Sequence, residues 1–373
     1  MNETTVTNPF YSLKTFPGRL ALLVCALWPG TQAFADDPVA FESADDAIGW
    51  SFYGDLLLRA ERTVDIPGRV DDLQRERARI RAGLRREFGA VEFGAALEGT
   101  LGSDRNQTNR FNNDNERSDS ANVDELFLRW HAGERTAVLL GKTAFPIQTT
   151  PLTWDDDLRP LGVSISHSVP LGELNRLQIV GGYFAGDHLY DDDSRIAAAQ
   201  IGWHLHEGAA ISGDIQLAWM NFSDLQTLVD RGLGRSNRRV AGRLVSDYEL
   251  LDLQLGLRAT VGAALWRARV DLVRNMGADE NSDGARFSAI YGDSRVDGGL
   301  EIGLAVQRFQ RDAVVAAFSS DDWWFHSFAR GYMPWVAYGF SDTWSAQLSG
   351  FRERRDGIAD PTNRLLLDVR AVW

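Results

Sequence analysis

The sequence contains no stretch of eighteen consecutive apolar residues, which excludes a helical membrane protein, since each span needs about twenty. Cysteine occurs once, at Cys25, and lysine only at Lys14 and Lys142. Basic charge is in deficit: 39 Lys and Arg stand against 52 Asp and Glu, a net −13, so a polybasic nucleic-acid binder is not indicated. No phosphate-binding loop, dinucleotide fingerprint or zinc-knuckle spacing is present, and no cofactor is expected. The chain is 44% apolar and 10% aromatic, with a mean hydropathy of −0.25. Those values suit a soluble protein. They equally suit a transmembrane barrel, where only alternate residues face lipid.

The first 35 residues read as a secretory signal. Lys14 and Arg19 supply a basic region, residues 20–28 (LALLVCALW) a short apolar run, and Ala33-Phe34-Ala35 a cleavage pattern that leaves Asp36 at the N-terminus. The apolar run is too short to span a membrane, and Val24 before Cys25 argues against a lipoprotein site. Cleavage removes Glu3, Lys14, Arg19 and the only thiol, leaving 51 acidic and 37 basic residues, a net −14. A chain without thiols suits passage through an oxidising periplasm. Residues 36–49 then form a short periplasmic lead-in, and residues 50–373 one all-β unit.

From Trp50 onward a single pattern recurs, a run of period-two alternation followed by a turn. Leu251, Leu253, Leu255, Leu257 and Ala259 alternate with Asp252, Gln254, Gly256, Arg258 and Thr260. Leu365, Leu367, Val369, Ala371 and Trp373 likewise oppose Arg364, Asp368 and Arg370. Roughly ten tilted strand residues cross an outer membrane. Connectors alternate in length. Gly89-Ala90, Gly262-Ala263, Arg311-Asp312 and residues 131–135, 207–210 and 341–343 are short; residues 103–121, 223–247 and 277–297 are long and polar. Strand-like segments near Val314 and Arg330 continue the series. With strand one (residues 50–61) rising from the periplasm, the parity predicts a transmembrane antiparallel β-barrel of about sixteen strands, both termini inside. Aromatics near strand ends, among them Trp130, Trp203, Trp266, Tyr338 and Trp344, fit interfacial girdles. A secreted soluble sandwich or propeller is the alternative all-β reading, but it favours strands of about five or six residues.

Strand two carries Arg75, Arg77, Arg79, Arg81 and Arg85 at period two, interrupted by Gly83. An arginine at the lipid midplane costs ~2–4 kcal/mol, so the row must face the lumen. There it forms a permanent positive strip, because arginine does not deprotonate. Arg129, Arg267 and Arg269 join it as basic pore-lining candidates. The bland reading is an internal salt-bridge lattice: the two-residue turn sets Glu98 opposite Arg81 and Thr100 opposite Arg79, while Asp55, Glu61 and Glu92 also point inward. On this count Arg77 and Arg79 are the least neutralised. Residues 143–161 (TAFPIQTTPLTWDDDLRPL) are proline-rich and apolar, unlike the other outer connectors. They are expected to fold into the barrel, where Asp155, Asp156 and Asp157, with Arg159 behind them, face a basic wall across a narrow gap. Opposed rows of charge orient polar solutes and set ion preference. The competing readings are a cation site or a helix N-terminus.

The signal, the strand pattern, Asp155 to Gly162 (DDDLRPLG) within an infolded third extracellular loop, the arginine row and the terminal Trp373 together resemble trimeric bacterial porins. Within these the chain is most similar to the phosphate-selective porin O and P group. That resemblance implies a sixteen-strand homotrimer in the Gram-negative outer membrane, in contact with its lipid, passing small solutes or anions. It also implies an arginine ladder leading to a lysine-rich anion site. The ladder maps onto Arg75, Arg77, Arg79 and Arg81; the lysine cluster has no counterpart, since Lys142 stands alone in the mature chain. A non-transport barrel, an adhesin or a hydrolase, is the alternative. A hydrolase has only His167-Ser168 and the pair His204 and His206 to work with, and no third metal ligand or triad partner is evident.

Overall fold

A computed structural model describes residues 49–103, 119–186 and 192–373. The expected signal, the expected lead-in up to residue 48, residues 104–118 of the long polar connector and residues 187–191 lie outside the described residues. The first nine strands are β1 (Ser51–Val64), β2 (Leu73–Phe88), β3 (Val91–Gly102), β4 (Ser120–His131), β5 (Thr136–Lys142), β6 (Leu161–Pro170), β7 (Arg176–Ala185), β8 (Arg195–Leu205) and β9 (Ile211–Ser223). A connector follows, carrying helix α1 (Gln226–Asp230) and the two-residue strands β10 (Arg239–Val240) and β11 (Arg243–Leu244). Then come β12 (Tyr248–Val261), β13 (Ala264–Asn275), β14 (Asp283–Gly292), β15 (Leu300–Phe309), β16 (Ala329–Gly339), β17 (Trp344–Arg355) and β18 (Thr362–Val372). All but β10 and β11 join one closed antiparallel barrel of sixteen strands, sealed by β1 against β18. Gly54 and Trp373 exchange both backbone hydrogen bonds, 2.9 and 3.0 Å, so the terminal residue completes the seam. Closure removes every strand edge, which lipid could not hydrate.

The alternation is inverted relative to a soluble protein. On β12 Leu251, Leu255 and Leu257 are exposed, while Asp252 and Gln254 are buried inside the barrel. Trp130, Trp203, Trp266, Tyr291, Tyr338 and Trp344 are exposed near strand ends. Apolar side chains outward and polar ones inward are what a bilayer demands of a barrel wall.

Two expectations about connectors are corrected. Residues 277–297 are not one loop but contain β14 (Asp283–Gly292), whose outward side chains, Ala285, Phe287, Ala289 and Tyr291, are too mixed in size to show a clear apolar face. Arg311-Asp312 is not a short turn, and no strand follows near Val314. Residues 310–328 form a long connector, with Ala313, Val314, Ala316, Ala317 and Phe318 fully buried. A short apolar run reads as a strand or as a buried coil equally well. The missed strand and the surplus one cancel, so the total of sixteen stands.

Candidate functional site

The barrel interior is built first from the β2 row. β2 and β3 pair with Arg81 opposite Glu98 and Arg79 opposite Thr100, as the two-residue turn requires. On the other side β1 sets Tyr53 opposite Gly83 and Asp55 opposite Arg81. Gly83, the break in the arginine row, is room for a ring: a Cβ there would lie 2.5 Å from Tyr53 Cζ. Tyr53 donates to Glu125, and the Arg85 guanidinium lies 4.1 Å from its ring centroid.

Carboxylates meet this row from three strands. Arg75 Nε donates to Glu61 at 3.0 Å, Arg77 lies 3.8 Å from the same carboxylate, and Arg364 of β18 takes its other oxygen at 2.9 Å. Arg81 reaches Glu98 at 2.8 Å and Asp124 at 3.5 Å; Arg85 reaches Glu125 at 3.4 Å and Glu92 at 4.0 Å. Glu92 also accepts from Arg129 at 2.6 Å. Sequence reasoning missed both Asp124 and Glu125. Strict alternation would point one of them at lipid, but a bulge between β3 and β4 pairs Ala96 with Glu125 and Leu97 with Val123. The extra residue turns two adjacent carboxylates into the lumen, the re-aiming that bulges provide.

Residues 143–160 run from one wall to the other. The Gln148 carbonyl accepts from Gln200 of β8 at 2.8 Å and Gln254 of β12 at 3.1 Å, and Thr150 donates to Asp271 of β13. At the other end Asp157 accepts from Arg79 and, at 3.1 Å, from Arg81 of β2. β2 and β12 lie eight strands apart in either direction around the barrel. A segment touching both therefore crosses the interior. Phe145 stacks on Trp154 at 4.3 Å, Trp154 on Phe318 at 5.4 Å and Phe318 on Phe222 at 5.3 Å. The long-connector half of the barrel thus holds an apolar core shared by four connectors and the wall, with Ile66, Trp154, Leu228 and Phe318 each drawn from a different one.

The three aspartates separate. Asp157 touches the β2 arginines directly instead of across a gap. Burial opposes its charge, but Arg79, Arg81 and Arg159 outweigh that and hold its carboxyl well below the ordinary range. Asp155 turns away, accepting from the backbone N–H of Asp157 at 3.0 Å and of Asp321 at 2.9 Å. Burial, then the Asp321 and Asp157 carboxylates, push it well above the ordinary range. Asp156 is exposed, and its carbonyl accepts from Arg159, whose Nε lies 3.8 Å from Asp124. Arg79, expected to be poorly neutralised, has both Asp157 and Asp55, the latter at 3.4 Å.

The row is not uniformly wet. Arg75 is 1% exposed, because residues 310–328 cover that end: Arg364 donates to the Asp321 and Asp322 carbonyls at 2.6 and 2.8 Å. Arg59, unremarked in the sequence, is held by Asp368 at 2.7 Å and Asp322 at 2.5 Å. The signal that could have revealed this second inward connector is composition, since Asp-Asp beside tryptophan occurs both at 154–157 and at 321–324. On the far wall Arg267 pairs with Glu301 at 2.8 Å and Arg269 with Asp214 at 3.0 Å. His167 shares a hydrogen bond with Thr136 at 2.8 Å, and His204 lies 3.8 Å from Glu207.

No family model matches the chain, and no curated protein matches it. Solved structures do. OprB of Pseudomonas putida superposes with a TM-score of 0.57 at 10% identity, over 87% of this chain and 94% of that one. A porin variant of Rhodopseudomonas blastica gives 0.52 at 13% identity, over 87% and 100%. A loop-deleted form of OmpT, an outer membrane protein of Vibrio cholerae, gives 0.51 at 12% identity, over 87% and 99%. At such identities the likeness is one of fold: the chain has the sixteen-strand barrel fold of bacterial outer-membrane porins.

Proposed function

We propose that this protein is an outer-membrane diffusion channel for small polar or charged solutes, with a preference for anions. The observation that carries the preference is an asymmetry of exposure within the ion pairs of four lumenal arginines. Arg85 and Arg129 keep 30% and 33% of their side chains exposed, against 10% for Glu92 between them. Arg267 keeps 23% against 12% for Glu301, and Arg269 22% against 17% for Asp214. In each pair the guanidinium stands nearer to water, so a solute meets positive charge first. The order reverses at Asp157, 26% against 13% for Arg79 and 9% for Arg81, at Asp55 (29% against 13% for Arg79), at Glu98 (13% against 9% for Arg81) and at Glu207 (40% against 24% for Arg176). The preference therefore rests on Arg85, Arg129, Arg267 and Arg269 and is tempered wherever the order is reversed. A phosphate-specific site gains no support, since Lys142 donates to the Val123 carbonyl at 2.5 Å and has no second lysine beside it.

Purified protein in a planar bilayer is expected to give stepwise conductance. The Arg85→Gln, Arg129→Gln double variant is expected to move the zero-current potential toward cations. A silent barrel overturns the channel reading; a conducting variant with unchanged ion preference overturns the anion preference alone. Export with cleavage before Asp36, and assembly as a homotrimer, belong to the same reading. N-terminal sequencing of the mature protein and native-gel mass test them.

A further inference from the structure

The outward face of the barrel carries a feature that conduction does not use. Arg308 of β15 sits directly opposite Arg330 of β16, and Arg330 directly opposite Arg354 of β17. All three are exposed, on the face whose other members are Leu304, Val306, Tyr332 and Val336. Like charges directly opposite on neighbouring strands destabilise a sheet, yet here three stand in one row. Among the described residues none of the three has an ion pair or a side-chain hydrogen bond to a carboxylate. Arg274, also outward, differs in having Asp283 at 3.7 Å.

Height identifies what compensates them. The row lies at the long-connector end of its strands, one residue from the junctions with connectors 310–328 and 356–361. The next outward row toward the middle of the wall runs Phe287, Val306, Tyr332 and Arg352 in register. The arginines thus sit just above Phe287, Val306 and Tyr332, with Arg352, which donates to Asn363 at 3.4 Å, at the edge of that lower row, where a bilayer passes from acyl chains to headgroups. Guanidinium groups bind phosphate through paired N–H donors, and neighbouring strands set them about 4.8 Å apart, close enough for two or three to share one group.

We propose that Arg308, Arg330 and Arg354 form a binding site for the phosphate of a phosphorylated lipid headgroup in the leaflet on the long-connector side. The proposal rests on the membrane reading of the barrel but not on conduction, and its test measures no current. Wild-type protein in neutral-lipid nanodiscs is titrated with bisphosphorylated lipid A and, separately, with its dephosphorylated form, and bound lipid is counted by native mass spectrometry. The expected result is retained adducts with the phosphorylated lipid, at least tenfold weaker with the dephosphorylated one. In the Arg308→Gln, Arg330→Gln, Arg354→Gln variant the same loss of at least tenfold is expected, while Arg274→Gln binds like wild type. The single Arg330→Gln variant, removing the central charge, serves if the triple variant assembles poorly, and several-fold weakening is expected. Equal binding by wild type and variants overturns the site. So does full displacement by millimolar inorganic phosphate, which would mark a free-anion site, or a changed oligomeric mass of the triple variant without lipid, which would mark contact with a second copy.

Discussion

Replacing Asp157 with asparagine removes one negative charge from the crossing segment while keeping the side chain that fills the space. Arg79 retains Asp55 at 3.4 Å and Arg81 retains Glu98 at 2.8 Å, so the wall keeps its partners and the barrel is expected to assemble. For an ion passing about 8 Å away at an effective dielectric constant of about 60, one unit charge changes the ion's energy by about 0.7 kcal/mol. That is about threefold in each ion's population, in opposite directions for cation and anion, hence about tenfold in their ratio. Starting from an unselective pore, the zero-current potential across a tenfold KCl gradient moves by about 40 mV toward anion preference. Single channels in planar bilayers measure it directly. In about 1 M salt, where the Debye length is ~3 Å, the shift should shrink. An unchanged potential at low salt would refute the placing of Asp157 beside the permeation path, and a shift indifferent to salt would refute its electrostatic origin.

The two aspartates should respond to pH with opposite signs. Asp155 is raised, so its contribution is present below about pH 4 and lost as pH rises toward its folded value; the fall in heat-unfolding temperature that this group causes between pH 4 and pH 7 should be absent in Asp155→Asn, which carries no titrating carboxyl. Asp157 is lowered, so its contribution is present above about pH 4 and lost on further acidification; Asp157→Asn should lower the unfolding temperature at pH 7. Trp154→Ala removes a ring that is 2% exposed and stacked on Phe145 and Phe318. It should cost about 3–5 kcal/mol in denaturant titrations and enlarge the unit conductance; unchanged values for both would remove the apolar core from the account. Gly83→Ala forces the Tyr53 ring off Glu125 and should cost about 1–3 kcal/mol on a heat-modifiability gel.

Legibility tracked locality. The pairing of Arg81 with Glu98 could be read in advance because a two-residue turn dictates the register of the strands it joins. The doubling of Asp124 and Glu125 could not, because a bulge is set by how two strands settle against each other, and nothing local in NVDELF marks it. β14 was lost for the opposite reason: its outward face is small and mixed, so the period-two signal is weak although the strand pairs along its whole length.

By itself, the sequence determined the barrel. An alternation of period two sustained over strand after strand has one stable outcome in a membrane, a closed wall with apolar side chains outward, and that pattern is written residue by residue. Only the tertiary structure decided which inward charges meet water. Arg75 and Arg85 belong to the same row of the same strand, yet one is sealed at 1% exposure and the other keeps 30% of its side chain open. The difference lies in residues 310–328, more than two hundred positions away, which fold over one end of the row and leave the other clear. Burial of a charge depends on what packs over it, and that covering comes from contacts between segments far apart in the chain.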